Sequence, residues 1–97
     1  MFKIQRSTDA NNVRFVLSGH LEHQHIAELQ RLIDEDAPHN VVTFDLEEIR
    51  LVDREAVRFL ARCEAAGIRL ENCAAYLREW ITREKDASVH PPRTTRR

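Results

Sequence analysis

The stretch that decides the fold of this chain runs from Val42 to Leu60 and reads VTFDLEEIRLVDREAVRFL. Its first residues are an apolar run that predicts a buried strand, Val41 to Leu46. A short connection follows, and it carries further apolar residues at Ile49 and at Leu51-Val52. The stretch therefore predicts a passage from the centre of a sheet to a covering helix.

That helix is expected to open at Asp53. An aspartate is a favoured N-cap because its carboxylate accepts the free backbone N–H groups of the first helical turn. Arg54 and Glu55 follow the cap directly and are displayed at the electropositive end of the helix. Arg58 and Arg62 lie one and two turns after Arg54, so the three arginines form a basic row on one outward face. We therefore expect the N-terminal end of this helix, Asp53 to Glu55, which we call the helix mouth, to be a surface that recognises a partner.

The chain before this stretch predicts a hairpin and a helix. Phe2 and Ile4, and then Val13, Phe15 and Leu17, alternate with polar residues around a turn-forming cluster at 7–12. Residues 18–21 are expected to break the second strand, since Gly19 permits a tight exit. A helix then begins near Glu22 and ends at Pro38, and its buried stripe consists of Ile26, Leu29, Leu32 and Ile33.

The chain after the central stretch predicts a short strand and a last helix. The helix from Asp53 is expected to stop at Gly67, and its Phe59 either completes the core or anchors a partner. A strand follows at 68–72, and a helix from about Ala74 to Lys85 places four side chains on one core-facing side: Tyr76, Leu77, Trp80 and Ile81.

The resulting order is strand, strand, helix, strand, helix, strand, helix. Because a strand-helix-strand crossover in one sheet is right-handed and yields parallel strands, we predict an α/β fold with a mixed four-stranded sheet. The first strand is antiparallel and the other strands are parallel. Residues 1–85 form one domain, and residues 86–97, with three arginines and two prolines, are expected to be a flexible basic tail.

Composition narrows the class of protein. The chain has 97 residues, 42% hydrophobic and 32% charged, with a net charge of −1, which is typical of one globular domain and does not favour nucleic-acid binding. No apolar run approaches the roughly 18 residues of a spanning helix, and the first residues lack the apolar centre of a signal peptide. We therefore expect a cytoplasmic protein without membrane insertion, in which Cys63 and Cys73 are reduced core thiols.

The motifs of common enzymes are not found in the sequence. Neither a GxGxxG nor a GxxxxGK pattern occurs, and no serine or cysteine has the setting of a nucleophile. Asp45, Glu47 and Glu48 are interpreted as solvated loop charges rather than catalytic acids. We accordingly predict no catalytic residues and no cofactor.

Three histidines, His20, His23 and His25, lie close together where the second strand leads into the first helix. Imidazoles bind zinc or nickel, but two ligands on a helix belong at positions i and i+4, which this spacing does not provide. Surface histidines are the preferred interpretation, no metal site is predicted, and adventitious metal capture is the alternative.

The central stretch resembles the signature of the STAS family, the domain shared by sulfate transporters and bacterial anti-sigma factor antagonists. In that family a strand ending in Asp-Leu leads through a short loop into an apolar-apolar-Asp-Ser-Ser-Gly-Leu helix start, and the first Ser is the regulatory phosphorylation site. Asp45-Leu46 and Val52-Asp53 match this pattern. Arg54 stands at the position of the phosphorylated Ser, followed by Glu55 and Ala56. The resemblance extends from about Val13 to Trp80.

The resemblance implies a non-enzymatic protein-interaction module, similar to an anti-sigma factor antagonist that binds an anti-sigma kinase. In the family the partner docks around the second helix and the loops that lead into it. Carried over to this chain, the partner-binding residues are His20, Glu22, His23, Glu48, Arg50, Asp53, Arg54, Glu55 and Arg58. Arg54 is a degenerate phosphosite, because it has no hydroxyl to receive a phosphate.

Three alternatives remain open at this point. STAS-like proteins also serve as accessory subunits of ABC-type transporters, including a lipid-transport complex, and the basic row on the second helix fits a transporter ATPase equally well. A small-ligand sensor is another alternative function. The sequence does not decide whether the chain forms a homodimer.

Overall fold

The structure, a computed structural model, describes residues 1–89, and side chains only as far as residue 85. Four strands alternate with three α-helices in the predicted order, and a 3₁₀ turn at His23–His25 precedes the first helix. The elements are β1 (Phe2–Asp9), β2 (Asn12–Leu21), α1 (Ile26–Asp36), β3 (Val41–Val52), α2 (Arg54–Ala65), β4 (Arg69–Glu71) and α3 (Ala75–Val89).

The strands form one sheet in the order β1-β2-β3-β4. β1 runs antiparallel to β2, while β3 is parallel to both β2 and β4. This confirms the predicted mixed sheet. Two consecutive right-handed crossovers that move across a sheet in the same direction place their helices on the same side, so α1 and α2 cover one face.

The core lies between that face and the helices. Val13, Phe15 and Leu17 of β2 point inward at a period of two, and Phe15 meets Phe44 edge to face with ring centroids 5.9 Å apart. Phe59 is 1% exposed, which confirms its core role over the alternative of a partner anchor. Further buried residues from the three helices join the same cluster: Leu29, Ile33, Ala56, Leu60, Leu77 and Ile81.

Two expectations about strand ends were wrong. The second strand does not break at Ser18 but continues to Leu21, and the third does not end at Leu46 but runs to Val52. The extensions pair with each other, Ser18 with Glu48 after a first register shift and Leu21 with Val52 after a second. The shifts act as β-bulges, which let pairing continue where the local sequence indicates a loop.

The last helix also differs from its prediction. Tyr76 is 53% exposed and does not face the core, whereas Leu77 and Ile81 are fully buried and Trp80 is half-buried against them. α3 extends to Val89, and the side chains of 86–89 and all of 90–97, where the basic tail is predicted, lie outside the description. None of the helices within residues 1–89 combines the length and apolar character needed to span a bilayer.

Both cysteines are free thiols. Cys63 is buried on α2 and Cys73 is partly buried before α3. Burial raises the pKa of the Cys63 thiol to about 12. Because the thiolate is the reactive form, this side chain packs as a small apolar group and does not act as a nucleophile.

Candidate functional site

The carboxylate of Asp53 holds the start of two helical segments. Its Oδ1 accepts a hydrogen bond from the backbone N–H of Ala56 at 2.8 Å, which confirms the predicted N-cap of α2. Its Oδ2 accepts the backbone N–H of His23 at 2.9 Å and lies 3.1 Å from the Nδ1 atom of the same residue. The exit of β2 and the mouth of α2 are therefore joined through one side chain.

The pKa of Asp53 reflects these bonds. Burial raises it, but the hydrogen bonds from the backbone of Ala56 and from the backbone and ring of His23 together outweigh burial, so the pKa lies below its ordinary value. The carboxylate is thus ionised at neutral pH and keeps both acceptor oxygens available. The helix mouth is a preformed, rigid feature.

The basic row on α2 is tied to α3. Glu84, whose side chain is 12% exposed, accepts from Arg58 Nε at 3.2 Å through one oxygen, and its other oxygen lies 3.6 Å from Arg54 Nε. Glu55 lies 3.7 Å from the guanidinium of Arg58. Much of the positive charge expected to meet a partner is therefore neutralised within the molecule. Sequence reasoning missed Glu84, since nothing local marks a pairing across 26 residues.

Three more of the predicted residues, His20, Glu48 and Arg50, lie along the extended ends of β2 and β3, and Glu22 follows β2 as the N-cap of the 3₁₀ turn. His20 pairs with Leu51 and Ser18 pairs with Glu48 across the two strands, while Arg50 occupies the register shift between Ile49 and Leu51. Leu51 is 51% exposed, which is unusual for a large apolar side chain in a strand. The sequence predictions named its neighbours but not Leu51, because Leu51 was expected to be an apolar anchor in a connection.

The three histidines have separate surroundings. His23 pairs with Asp53, His25 stacks on Phe2 with ring centroids 4.3 Å apart, and His20 is exposed on β2. Nδ1 of His25 accepts the backbone N–H of Glu22 at 3.1 Å, so this nitrogen is occupied. Among residues 1–89, no group of three or more potential ligands is arranged around a common point.

Asp45 is not the solvated loop charge that the sequence suggested. It lies inside β3, is 8% exposed, and accepts hydrogen bonds from Arg14 at 2.8 Å and from Asn72 at 3.1 Å. Arg14 also contacts Glu71 at 2.7 Å. Burial raises the pKa of Asp45, but hydrogen bonds from Asn72, the backbone of Glu47 and Arg14 outweigh burial and lower the pKa. The network joins three strands and has a structural role.

The predicted partner-binding residues therefore occupy one end of the molecule but two faces of it. His20 and Glu48 lie on the sheet face that carries no helix, because residues directly opposite in a sheet share a face. Arg54, Glu55 and Arg58 lie on α2, and Asp53 stands between the two groups. A partner that used every predicted residue would have to wrap around this end.

Comparison with known proteins yields similarity of structure only. No family model matches the sequence, and no curated protein matches it. The anti-sigma factor antagonist SpoIIAA in its unphosphorylated form has a TM-score of 0.62 and 18% identity, over 84% of this chain and 82% of that chain. An anti-sigma factor antagonist STAS domain from Rhodobacter sphaeroides has a TM-score of 0.57 and 15% identity, over 73% and 86%.

A third similar structure is an uncharacterised protein from Shewanella loihica with a SpoIIAA-like fold. Its TM-score is 0.55 and its identity 16%, over 98% of this chain and 83% of that chain. Such identities establish the fold and nothing more specific. The chain has a STAS-like fold, as the strand-to-helix stretch around Asp53 predicted.

Proposed function

We propose that this chain is a non-enzymatic protein-interaction module that binds a partner at the end of the molecule where β2, β3 and α2 meet. The observation that carries the proposal is the bridging carboxylate of Asp53, which fixes the start of α2 and the exit of β2 as one unit. A preorganised surface binds without the cost of ordering loops on association. The fold shared with two anti-sigma factor antagonists supports the same function.

The proposed module is not switched by phosphorylation at the helix mouth. Arg54 stands directly after the capping aspartate and presents a guanidinium, which has no oxygen to accept a phosphoryl group. Its side chain is 66% exposed and lies beside Glu84. A phosphate elsewhere in the first turn of α2 would also be repelled by the negative charges of Asp53 and Glu55. Partner binding is therefore constitutive.

The first experiment identifies the partner class. A tagged full-length chain is expressed in its native cell, and co-purifying proteins are identified by mass spectrometry and then purified for binary binding measurements. An anti-sigma factor of the kinase type supports the antagonist role, whereas an ABC-type ATPase supports the accessory-subunit role. A chain that binds neither, but whose melting temperature rises with a nucleotide or lipid, would contradict both and support the sensor alternative.

The second experiment tests the surface. With the purified partner, Glu55→Lys is expected to weaken binding about tenfold, the effect of losing roughly 1.4 kcal/mol. Glu35→Lys, the same charge reversal at an exposed position on α1, is the matched control and should leave the dissociation constant unchanged. Equal effects of the two variants would contradict the proposed location.

The third experiment tests the absent switch. Incubation of the wild-type chain with a kinase-type partner and ATP is expected to add no phosphate by mass spectrometry. Arg54→Ser supplies a hydroxyl at the helix mouth, and this variant is expected to gain one phosphate. Phosphorylation of the wild-type chain on any serine or threonine would contradict constitutive binding.

A further inference from the structure

Among residues 1–89, no helix covers the sheet face opposite α1 and α2, which we call the open face. Side chains directly opposite one another in a sheet point the same way, so the register identifies rows of neighbours that cross β1, β2 and β3. One row consists of Lys3, Ser18 and Glu48. Lys3 and Glu48 are exposed at its two ends, and Ser18 lies between them.

A second, apolar row lies next to the first at the end of the sheet. His20 pairs with Leu51 on one side, and its backbone N–H donates to the carbonyl oxygen of Met1 at 2.8 Å on the other. Met1 is 95% exposed and Leu51 is 51% exposed. Met1, Lys3 and Ser18 also line one shallow groove, which places the methionine beside the charged row.

These two rows are self-complementary. A two-fold axis that lies on the open face and runs along β2 exchanges β1 of one molecule with β3 of the other. Lys3 then faces Glu48 of the second copy, and Met1 faces Leu51 of the second copy. Each charge meets its opposite and each exposed apolar side chain meets another apolar side chain, twice by symmetry.

We propose that a second copy of this chain docks on the open face and forms a homodimer centred on these rows. The small Ser18 lies on the axis, so the two sheets can approach closely there. Stacked sheets keep their strand directions within about 30° of each other, which this arrangement satisfies. Arg14, which lies on the same face, is already paired within each chain, with Asp45 at 2.8 Å and with Glu71 at 2.7 Å.

The size of the face sets the strength of the dimer. The contact covers three strands, which lie about 4.8 Å apart, and two rows of side chains, which lie about 6.7 Å apart along the strands. Its area is therefore small. Specific interfaces below about 1,200 Å² are usually transient, so this dimer dissociates on dilution. The dimer does not depend on the function proposed above, although a partner that contacts His20 and Glu48 would compete with it.

The test measures the mass of the full chain in solution across a range of concentrations, by light scattering or analytical ultracentrifugation. The wild-type mass is expected to rise from 11.4 kDa toward twice that value as the concentration increases. Lys3→Glu and Glu48→Lys are each expected to remain monomeric, because like charges then face each other.

The charge exchange supplies the decisive control. The Lys3→Glu chain is acidic at both positions and the Glu48→Lys chain is basic at both, so an equimolar mixture should recover the dimer. The double variant should recover it as well. Glu35→Lys, which reverses an exposed charge on α1, should dimerise like the wild type, and circular dichroism checks that every variant is folded.

Several results would overturn the proposal. The dimer would be excluded if the wild-type chain stayed monomeric up to about 1 mM. At that concentration only a dimer with a binding free energy weaker than about 4 kcal/mol escapes detection. Single variants that dimerise like the wild type, or a mixture that stays monomeric, would exclude this interface. A monomer that binds a different protein through Leu51 would also overturn it, without affecting the proposed function.

Discussion

The side chain of Asp53 caps two helical segments, which would otherwise need two separate capping residues. Its two oxygens bind N–H groups of Ala56 and His23, which belong to segments 33 residues apart. The N-cap of α2 could be predicted because aspartate before an apolar helix is a strong local signal. The bond to His23 could not, since it depends on how the sheet brings the exit of β2 beside α2.

The double cap gives the first prediction. Asp53→Ala removes both acceptors and is expected to lower the free energy of unfolding by about 2 kcal/mol, more than the ~1 kcal/mol typical of one N-cap. Asp53→Asn keeps one oxygen for Ala56 but offers an amide group to His23, so its loss should be smaller. Urea denaturation measures both. Asp34→Ala, at an exposed position on α1, is the control, and a loss equal to that of Asp53→Ala would contradict the double cap.

Asp45 gives a prediction about pH. Its pKa is lowered in the folded chain, because hydrogen bonds from Asn72, the Glu47 backbone and Arg14 outweigh the burial that raises it. A carboxylate whose pKa is lower in the folded chain than in the unfolded chain stabilises the fold at pH values above its unfolded pKa, about 3.9. This stabilisation is lost as the pH falls through its pKa in the folded chain. The pKa values of Asp36, Asp53 and Glu64 are lowered as well. The wild type should therefore keep its stability between about pH 5 and pH 8 and lose stability below about pH 4.

The variant Asp45→Asn isolates one of these contributions. The amide has no negative charge and only one acceptor oxygen, so it cannot both pair with Arg14 as an ion and keep the bonds from Asn72 and Glu47; at pH 7 the variant should be less stable than the wild type by about 2 kcal/mol, discounted for the partly exposed arginine. The difference should narrow as the pH falls below about 4 toward the folded pKa of Asp45, because protonation of the carboxyl group then favours the unfolded wild-type chain. Urea unfolding midpoints at several pH values measure this difference in stability between the variant and the wild type. A difference that stays constant with pH would show that Asp45 acts through packing alone.

At the scale of elements, the strands were harder to predict than the helices. The order and type of all elements followed from apolar spacing, because each strand and helix buries one face against a common core. The extensions of β2 and β3 did not follow, since residues 18–21 and 47–52 carry turn and charge signals that favour a loop. Pairing between the two extensions overrides those signals, and no local pattern records it.

Glycine substitutions test the bulge. Gly19 has a φ of +93°, and a Cβ atom there would overlap the backbone carbonyl oxygen of Met1, the residue directly before β1. Gly67, after α2, has a φ of +103° and nothing within 4 Å of a Cβ. Gly67→Ala should cost about 1 kcal/mol for the left-handed conformation, whereas Gly19→Ala should cost at least twice as much, because β1 must also shift. Thermal unfolding measures both, and equal losses would contradict the close approach of β1.

The packing of α3 shows why the sequence predicted only in part which face of this helix is buried. Tyr76 and Leu77 are adjacent, so they lie about 100° apart around the helix and only one can face the core fully. Leu77 is 1% exposed and Tyr76 is 53% exposed. The ion pairs of Glu84 with Arg58 and of Glu64 with Arg78, at 3.2 and 2.6 Å, set how the helix lies on α2. Both partners of each pair look like ordinary surface charges in the sequence.

At the scale of the whole molecule, all the helices contribute to one core on one side of the sheet. Within residues 1–89, no helix packs on the opposite side, where Arg14 forms ion pairs with Asp45 and Glu71. This asymmetry leaves both proposed recognition surfaces, the helix mouth and the sheet face opposite the helices, outside the core of this 97-residue chain. It also means that stability depends on a single set of contacts.

A single core predicts a single unfolding transition. Trp80 is the only tryptophan of the chain, and it packs on the core from α3, the element farthest along the chain. Because Leu77 and Ile81 of α3 belong to the same cluster as the sheet, α3 should not detach before the sheet unfolds. Urea transitions followed by Trp80 fluorescence and by circular dichroism should coincide. Leu77→Ala should lower both midpoints together, by the equivalent of about 2–5 kcal/mol, and Tyr76→Ser should change neither. A fluorescence midpoint at lower urea than the dichroism midpoint would mean that α3 is a separate unit, and the ion pairs of Glu84 and Glu64 would then be too weak to hold it in place.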